Sequence, residues 1–360
     1  MSSPDKVIRE DILAVSAYHV PPAVGLVKLD AMENPYRLPE DLCLEIAQIV
    51  ARAPINRYPD PTASALKSKL RQVMNIPTGC DVLLGNGSDE IIQMAIVAAS
   101  RPGAVIMAPE PTFVMYRLDA VFAKTRYEGV PLNADFSLDV SRFLDAIERH
   151  RPALVFFPYP NNPSGNLFPE EDVAKIVARS PGLVVLDEAY HVFAGRTFMS
   201  RLEEYPNLLV MRTVSKLGLA GLRLGYAAAR PEWIREIDKV RPPYNVGVIT
   251  QLVAERILSH QAVFEVQAAA IKSERARLRE RLDAVAGVVT FPSDANFILA
   301  RVPDAPTLFE SLKRRGVLVK SLHGSHPLLE RCLRFTVGTP EENDRLLDAL
   351  LASMQAPRVG

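Results

Sequence analysis

The feature that most restricts what this chain can become is an alternation: short apolar runs rich in β-branched residues recur between stretches of helical periodicity. Such runs occupy residues 82–84, 104–108, 154–157, 183–186, 208–213 and 226–229, each bounded by Gly, Pro or Asp. Helical patterns at 89–100, 113–123, 137–150 and 169–178 lie between them. A strand that is apolar along its whole length needs cover on both faces, and a helix between successive strands supplies it. The alternation therefore predicts an α/β fold, a mostly parallel sheet covered by helices on both sides. After Pro242-Pro243 the pattern changes to a long charged helical stretch, 248–285, carrying SERARLRERL. Short strand-like segments follow at 297–301, 317–320 and 333–337.

An open parallel sheet gathers ligand-binding side chains at the carboxyl ends of its strands. Three of four notable strings fall at or just after such ends: PNNPSG around Asn162, LDEAY with Asp187 and Tyr190, and SK at Ser215-Lys216; the fourth is GLRLGY with Arg223. Taken singly these are ordinary, since Asp caps helices, Lys is usually solvated and NNPSG is rich in turn formers. Jointly and in this order they supply what pyridoxal 5'-phosphate requires. A desolvated lysine beside a cation becomes nucleophilic, so Lys216 is the candidate amine for covalent attachment. Asp187 is placed to face the pyridine nitrogen and keep it protonated, which makes the ring an electron sink. Asn162 and Tyr190 supply hydrogen bonds for the ring's phenolic oxygen. For the phosphate, LLGNGSDE at 83–90 ends a strand and opens a helix, leaving the N–H groups of Ser88 and Asp89 for an anion. Ser215 and Arg223 add a hydroxyl and a guanidinium fork.

These motifs, with AMENPY at 31–36, RYPDP at 57–61, PTF at 111–113 and CLRFTVGTPEEN at 332–343, resemble the fold-type I, aspartate-aminotransferase-like enzymes. Within them the resemblance is closest to the histidinol-phosphate aminotransferase family, and it covers nearly the whole chain. It implies an N-terminal arm over 1–32, a large cofactor-binding domain over 33–247, and a bridging helix with a smaller α+β domain over 248–360. It also implies that Lys216 forms the internal aldimine and shuttles a proton, with Asp187, Tyr190 and Asn162 around it. Phe113 is the position that stacks on the cofactor ring, with Tyr116 as the alternative. Tyr58 is the position that reaches the neighbouring cofactor phosphate across a homodimer, and Tyr18 and Asn34 match positions lining the substrate pocket.

One site in this family must accept both a phosphate ester and a carboxylate. An arginine fork suits either, which makes Arg334 the expected anchor, with Arg345 as a helper. The implied reaction converts L-histidinol phosphate and 2-oxoglutarate to imidazole-acetol phosphate and L-glutamate by ping-pong transamination, a step of histidine biosynthesis. Threonine-phosphate decarboxylases and aromatic amino acid aminotransferases resemble the same pattern and remain alternatives. Two departures stand out: Lys216 and Arg223 are seven positions apart where many relatives have eight, and Ser164 stands for the more usual threonine in NPTG.

Composition agrees with a large buried core and small-molecule partners. The chain has 360 residues, 48% of them hydrophobic, with 42 basic and 42 acidic side chains, so no basic face argues for nucleic acid. No apolar run approaches the ~18 residues of a membrane span, and the charged N-terminus lacks the apolar core of a signal peptide. Cys43, Cys80 and Cys332 are scattered and odd in number, which fits a reducing, cytoplasmic setting. His323 and His326, without a third ligand nearby in the sequence, do not suggest a metal site.

Overall fold

A computed structural model describes residues 3–17 and 20–355. The strands in chain order are β1 (Val27–Leu29), β2 (Asp81–Gly85), β3 (Val105–Glu110), β4 (Arg126–Pro131), β5 (Leu154–Pro158), β6 (Leu183–Asp187), β7 (Leu208–Thr213), β8 (Gly225–Ala229), β9 (Val289–Thr290), β10 (Phe297–Arg301), β11 (Val317–Ser321) and β12 (Cys332–Thr336). Among the described residues they form a seven-stranded sheet of order β2-β8-β7-β6-β5-β3-β4 and a five-stranded sheet of order β1-β11-β12-β10-β9.

In the large sheet β8 alone runs against its neighbours; β2 and β7 both pair with it antiparallel and so point the same way as the rest. The expected mostly parallel α/β sheet is what forms. Its interior strands follow the period of two: Val155, Phe157, Val184, Leu186 and Val210 join one buried cluster, while Leu154, Phe156, Leu183, Val185 and Leu209 join the other. Each such side chain contributes about 1.5–3 kcal/mol by leaving water. Helices on both faces complete the layers, as the unbroken apolar runs required.

The structure departs from the sequence reading in three places. Strand β4, sequence RYEGVP, is an edge strand with largely polar, half-exposed side chains, so it has no apolar run to betray it. The helical stretch 248–285 is two helices, Val248–Ile257 and Gln261–Asp283, interrupted by a turn in which Ser259 and His260 donate to Arg256 and Ile257. Within the segment read as an arm, β1 pairs in parallel with β11, so residues 27–29 belong to the small sheet, with Val27 opposite Val317.

All of the site-bearing loops leave the large sheet at one edge, because β2, β3, β5, β6 and β7 share a direction. The chain turns from β3 outward to β4 and then crosses back to β5, so a crevice opens between the exits of β3 and β5. Just behind this edge lies a buried ion pair. Glu188 is fully buried and accepts from Arg212 Nε at 2.9 Å, Phe198 N at 2.6 Å and Thr197 Oγ1 at 2.8 Å. Arg212 is itself 5% exposed. The pair fastens the exit of β6 to β7, and removing the charge of one partner leaves the other buried and uncompensated. Glu188→Gln should therefore destabilise the fold by about 3 kcal/mol, read as a lower denaturant midpoint; an unchanged midpoint would contradict this role.

Candidate active site

A cavity of about 260 Å³ opens at the carboxyl edge of the large sheet. Its lining includes Asp187, Tyr190, Asn162, Phe113, Ser88, Asp89, Ser215, Lys216 and Arg223, so one space collects residues spread over 136 positions of sequence, from 88 to 223. Asp187 is the last residue of β6 and is 6% exposed. Its Oδ2 accepts from Tyr116 Oη at 2.7 Å and its Oδ1 from Ala189 N at 3.0 Å. Burial pushes its carboxyl up to about 6, against the pull of those two donors. Two neutral donors thus hold a desolvated acid at the cavity wall.

Lys216 lies three residues beyond β7, on a π-helical turn, Ser215–Leu219, and donates to Ala31 O at 3.0 Å. Desolvation brings its amine down to about 8, and the Arg334 charge pulls the same way. At neutral pH roughly a tenth of the amine is then unprotonated, against about one part in three thousand for a solvated lysine.

Arg334, in the middle of β12, reaches across from the small sheet. Nη1 donates to Asn162 Oδ1 at 2.5 Å, Nη2 donates to Asp30 O at 2.9 Å, and the guanidinium lies 5.2 Å from the centre of the Phe297 ring. A guanidinium can only donate, so Asn162 presents its oxygen to Arg334 and keeps its NH2 for the cavity. Tyr190 packs edge-on to Phe297 and places its hydroxyl 3.2 Å from Met32 Sδ. Phe113, half-buried, meets Tyr116 edge to face at 5.7 Å.

The anion cradle forms where β2 ends. Gly87, at φ +86°, precedes the helix Ser88–Ala99, leaving the first N–H groups of that helix without helical acceptors. Glycine is needed at two positions here: at Gly87 for its left-handed φ, beside the Arg223 guanidinium, and at Gly225 because a Cβ there would sit 2.5 Å from Ser88 N. The seven-position span from Lys216 still delivers Arg223, in a left-handed conformation at φ +51°, to this turn and to Asp89 Oδ2 at 3.6 Å. Ser215 is buried, and its Oγ accepts from Thr213 Oγ1 at 2.9 Å.

Other expected residues lie elsewhere. Asn34 does not line the cavity; its amide donates to Leu217 O and Gln267 Oε1 and accepts from Tyr36 N, bracing the back of the Lys216 turn. Arg345 is exposed on the final helix, Pro340–Gln355, and points toward Gly316, which removes it as a helper of Arg334. Tyr58 is 80% exposed and stacks on Tyr244 at 4.4 Å, outside the cavity of its own chain. Tyr18 falls outside the described residues. Tyr116 does line the cavity, and its hydroxyl is committed to Asp187. His323 and His326 spend their Nδ1 atoms on Arg331 N and Leu328 N of their own loop.

The sequence reading missed Thr213, Pro158 and Pro160 in the lining, and Lys320 beside Arg334. Lys320 is directly opposite Arg334 in the β11–β12 register, and both burial and the Arg334 charge lower its amine. A strand partner of a recognised arginine is the signal that would have found it, but only once the register is known.

The residues present fit pyridoxal phosphate. A buried acid whose donors here are both neutral suits a cationic ring nitrogen, a desolvated amine suits covalent attachment, and a glycine-cleared helix start with Arg223 suits a phosphate. The lysine's behaviour can be checked without the cofactor. Acylation of Lys216 in the apoprotein should be slow below pH 8, where the amine is protonated, and rise with a midpoint near 8. Arg334→Leu should move that midpoint upward by removing a nearby cation. A midpoint at the solvated value would contradict the assignment.

The chain matches the model of the family described as aminotransferase class I and II over residues 24–350. It is 55% identical over 356 residues to histidinol-phosphate aminotransferase 2 of Cupriavidus pinatubonensis, covering 98% of this chain and 97% of the relative. Among solved structures it is similar to histidinol-phosphate aminotransferase from Sinorhizobium meliloti in complex with pyridoxal-5'-phosphate, at TM-score 0.87 and 24% identity, over 97% of this chain and 98% of that one. It is also similar to L-threonine-O-3-phosphate decarboxylase from Porphyromonas gingivalis, at TM-score 0.80 and 21% identity, over 92% and 100%. These two likenesses are of fold. A pyridoxal phosphate site built at the carboxyl edge of a mostly parallel sheet, a full-length family match and a 55% identical relative lead to one conclusion: the chain belongs to the class I and II aminotransferases, within the histidinol-phosphate aminotransferase family.

Proposed function

We propose that the chain transfers the amino group of L-histidinol phosphate to 2-oxoglutarate, giving imidazole-acetol phosphate and L-glutamate, as a step of histidine biosynthesis. The observation that carries this reading is the near-full-length 55% identity, joined to a buried arginine fork, Arg334, that is tied to the cavity residue Asn162 and whose charge acts on the Lys216 amine. When bound, pyridoxal phosphate supplies an electron sink for the charge that develops at the substrate α-carbon.

The chain's own residues do the rest. Ser88, Asp89, Ser215 and Arg223 hold the cofactor phosphate. Asp187, buried in the cavity wall, would hold the ring nitrogen in its protonated form. The Asn162 amide and the Tyr190 hydroxyl would donate to the ring's phenolic oxygen, and Phe113 would supply aromatic cover for the ring. Lys216, more readily deprotonated at an ordinary cellular pH because it is desolvated beside Arg334, takes and returns the proton at the substrate α-carbon.

Arg334 binds the substrate's anionic end. Its planar fork matches both a phosphate ester and a carboxylate, so one residue serves both half-reactions. Lys320, opposite it on β11, adds a second cation suited to the extra charge of a phosphate ester.

The working form is a cytoplasmic homodimer. The exposed Tyr58–Tyr244 stack, with Ile55 at 73% exposure beside it in sequence, offers the surface on which a second copy packs. In that arrangement Tyr58 reaches the neighbouring cofactor phosphate.

A panel of amino donors tests the reaction. Mixed with the loaded enzyme, histidinol phosphate and glutamate should each shift the cofactor absorbance to its amine form, and threonine phosphate should release no carbon dioxide. Carbon dioxide release without need of 2-oxoglutarate would overturn the transferase reading in favour of a lyase. Arg334→Ala should lower kcat/KM for both substrates by about a hundredfold, the loss of a charged two-point contact. A loss confined to one substrate would show that two separate anchors exist.

A further inference from the structure

Asp187 carries a conflict that must be met before any cofactor binds: a carboxylate buried in an apolar wall tends to take up a proton, yet its proposed task requires the ionised form. The groups that bear on it come from three segments, the helix Ser88–Ala99, the helix Met115–Phe122 and the residues that follow β6. Asp89, at the start of the helix Ser88–Ala99, and Glu188, the next residue in the chain, both push its carboxyl upward, and Tyr190 lies just beyond the strand end. Tyr116, on the helix Met115–Phe122, donates to Oδ2, and Ala189 N donates to Oδ1. The Tyr116 hydroxyl is thus the one side-chain donor to this carboxylate among the described residues.

Tyr116 is held too firmly to be an incidental contact. It is fully buried and stacked on Phe156 of β5 at 4.7 Å with an interplanar angle of 9°. Phe113 abuts it edge-on. Its helix is tied at the far end by Arg9, whose Nη2 donates to Val121 O at 2.8 Å and Nη1 to Phe122 O at 3.1 Å. A rigid phenol at 2.7 Å fixes both the plane and the charge of the acid it meets.

We propose that Tyr116 is the positioning residue for Asp187: its phenol ties down one carboxylate oxygen so that the ionised group faces the cofactor ring nitrogen. The same ring braces Phe113, so the acid on one side of the cofactor and the aromatic cover are set by one buried tyrosine. The inference rests on the assignment of Asp187 to the ring nitrogen, and the test separates the two.

Apoprotein is titrated with pyridoxal phosphate and with its analogue carrying C–H in place of the ring nitrogen. The wild type should bind pyridoxal phosphate more tightly than the analogue. If it binds both equally, the Asp187 assignment fails. If the wild type discriminates, Tyr116→Phe should shrink that preference about tenfold or more, while affinity for the analogue stays the same. Equal losses for both ligands, or an unchanged preference, would overturn the role of Tyr116. A second readout uses 13C NMR of the Asp187 carboxyl in the apoprotein, which should titrate at a higher pH in Tyr116→Phe. If that variant does not fold, 3-fluorotyrosine at position 116, a stronger donor of nearly the same shape, should move the midpoint downward, and no movement would contradict the proposal.

Discussion

The active site depends on keeping an acid ionised where water has been removed. Asp187 closes the end of a strand buried on both faces, and the dryness that makes the cavity useful also works against the charge the cavity needs. Two neutral donors restore part of what water provided, and the cationic ring proposed to lie opposite the acid would complete the balance. The same dryness has the opposite sign for Lys216. There it favours the neutral amine, and the Arg334 charge pushes further in that direction. One desolvated space thus supplies the neutral amine directly, while the ionised acid has to be recovered against it by hydrogen-bond donors.

The architecture explains why these groups can meet. A parallel strand order sends the exits of β3, β5, β6 and β7 to one edge, and the reversal between β3 and β5 opens the crevice. The small sheet then supplies what the large one lacks. Arg334 on β12 crosses to Asn162 on the loop after β5 and to Asp30 just beyond β1, so the small sheet, the large sheet's loop and the segment after β1 are coupled through one guanidinium. The segment around β1 is therefore part of the site's frame, with Ala31 receiving the Lys216 amine.

Much of this was legible in the residues alone. The large sheet could be read because its interior strands are apolar throughout, and the cofactor cluster could be read because Asn162, Asp187 and Lys216 each follow such a strand. What escaped had no comparable signal. Strand β4 is a polar edge, and Lys320 matters only through its register with Arg334. Tyr116 looked like a second stacking ring because sequence spacing does not show which way a phenol points. Arg345 was drawn in by its nearness in sequence to Arg334, but eleven residues of turn and helix carry it to the surface. Asn34 sits in a recognisable motif, and its amide proved to brace the Lys216 turn from behind.

If Asp187 faces the ring nitrogen while Lys216 holds the other side of the ring, that nitrogen must carry a proton, and 15N NMR reads it directly. Loaded with pyridoxal phosphate labelled with 15N at the ring position, the protein should show a protonated nitrogen with a resolved N–H coupling at pH 8, and Asp187→Asn should lose it. An unprotonated ring nitrogen in the native protein, or a signal indifferent to that substitution, would contradict the claim.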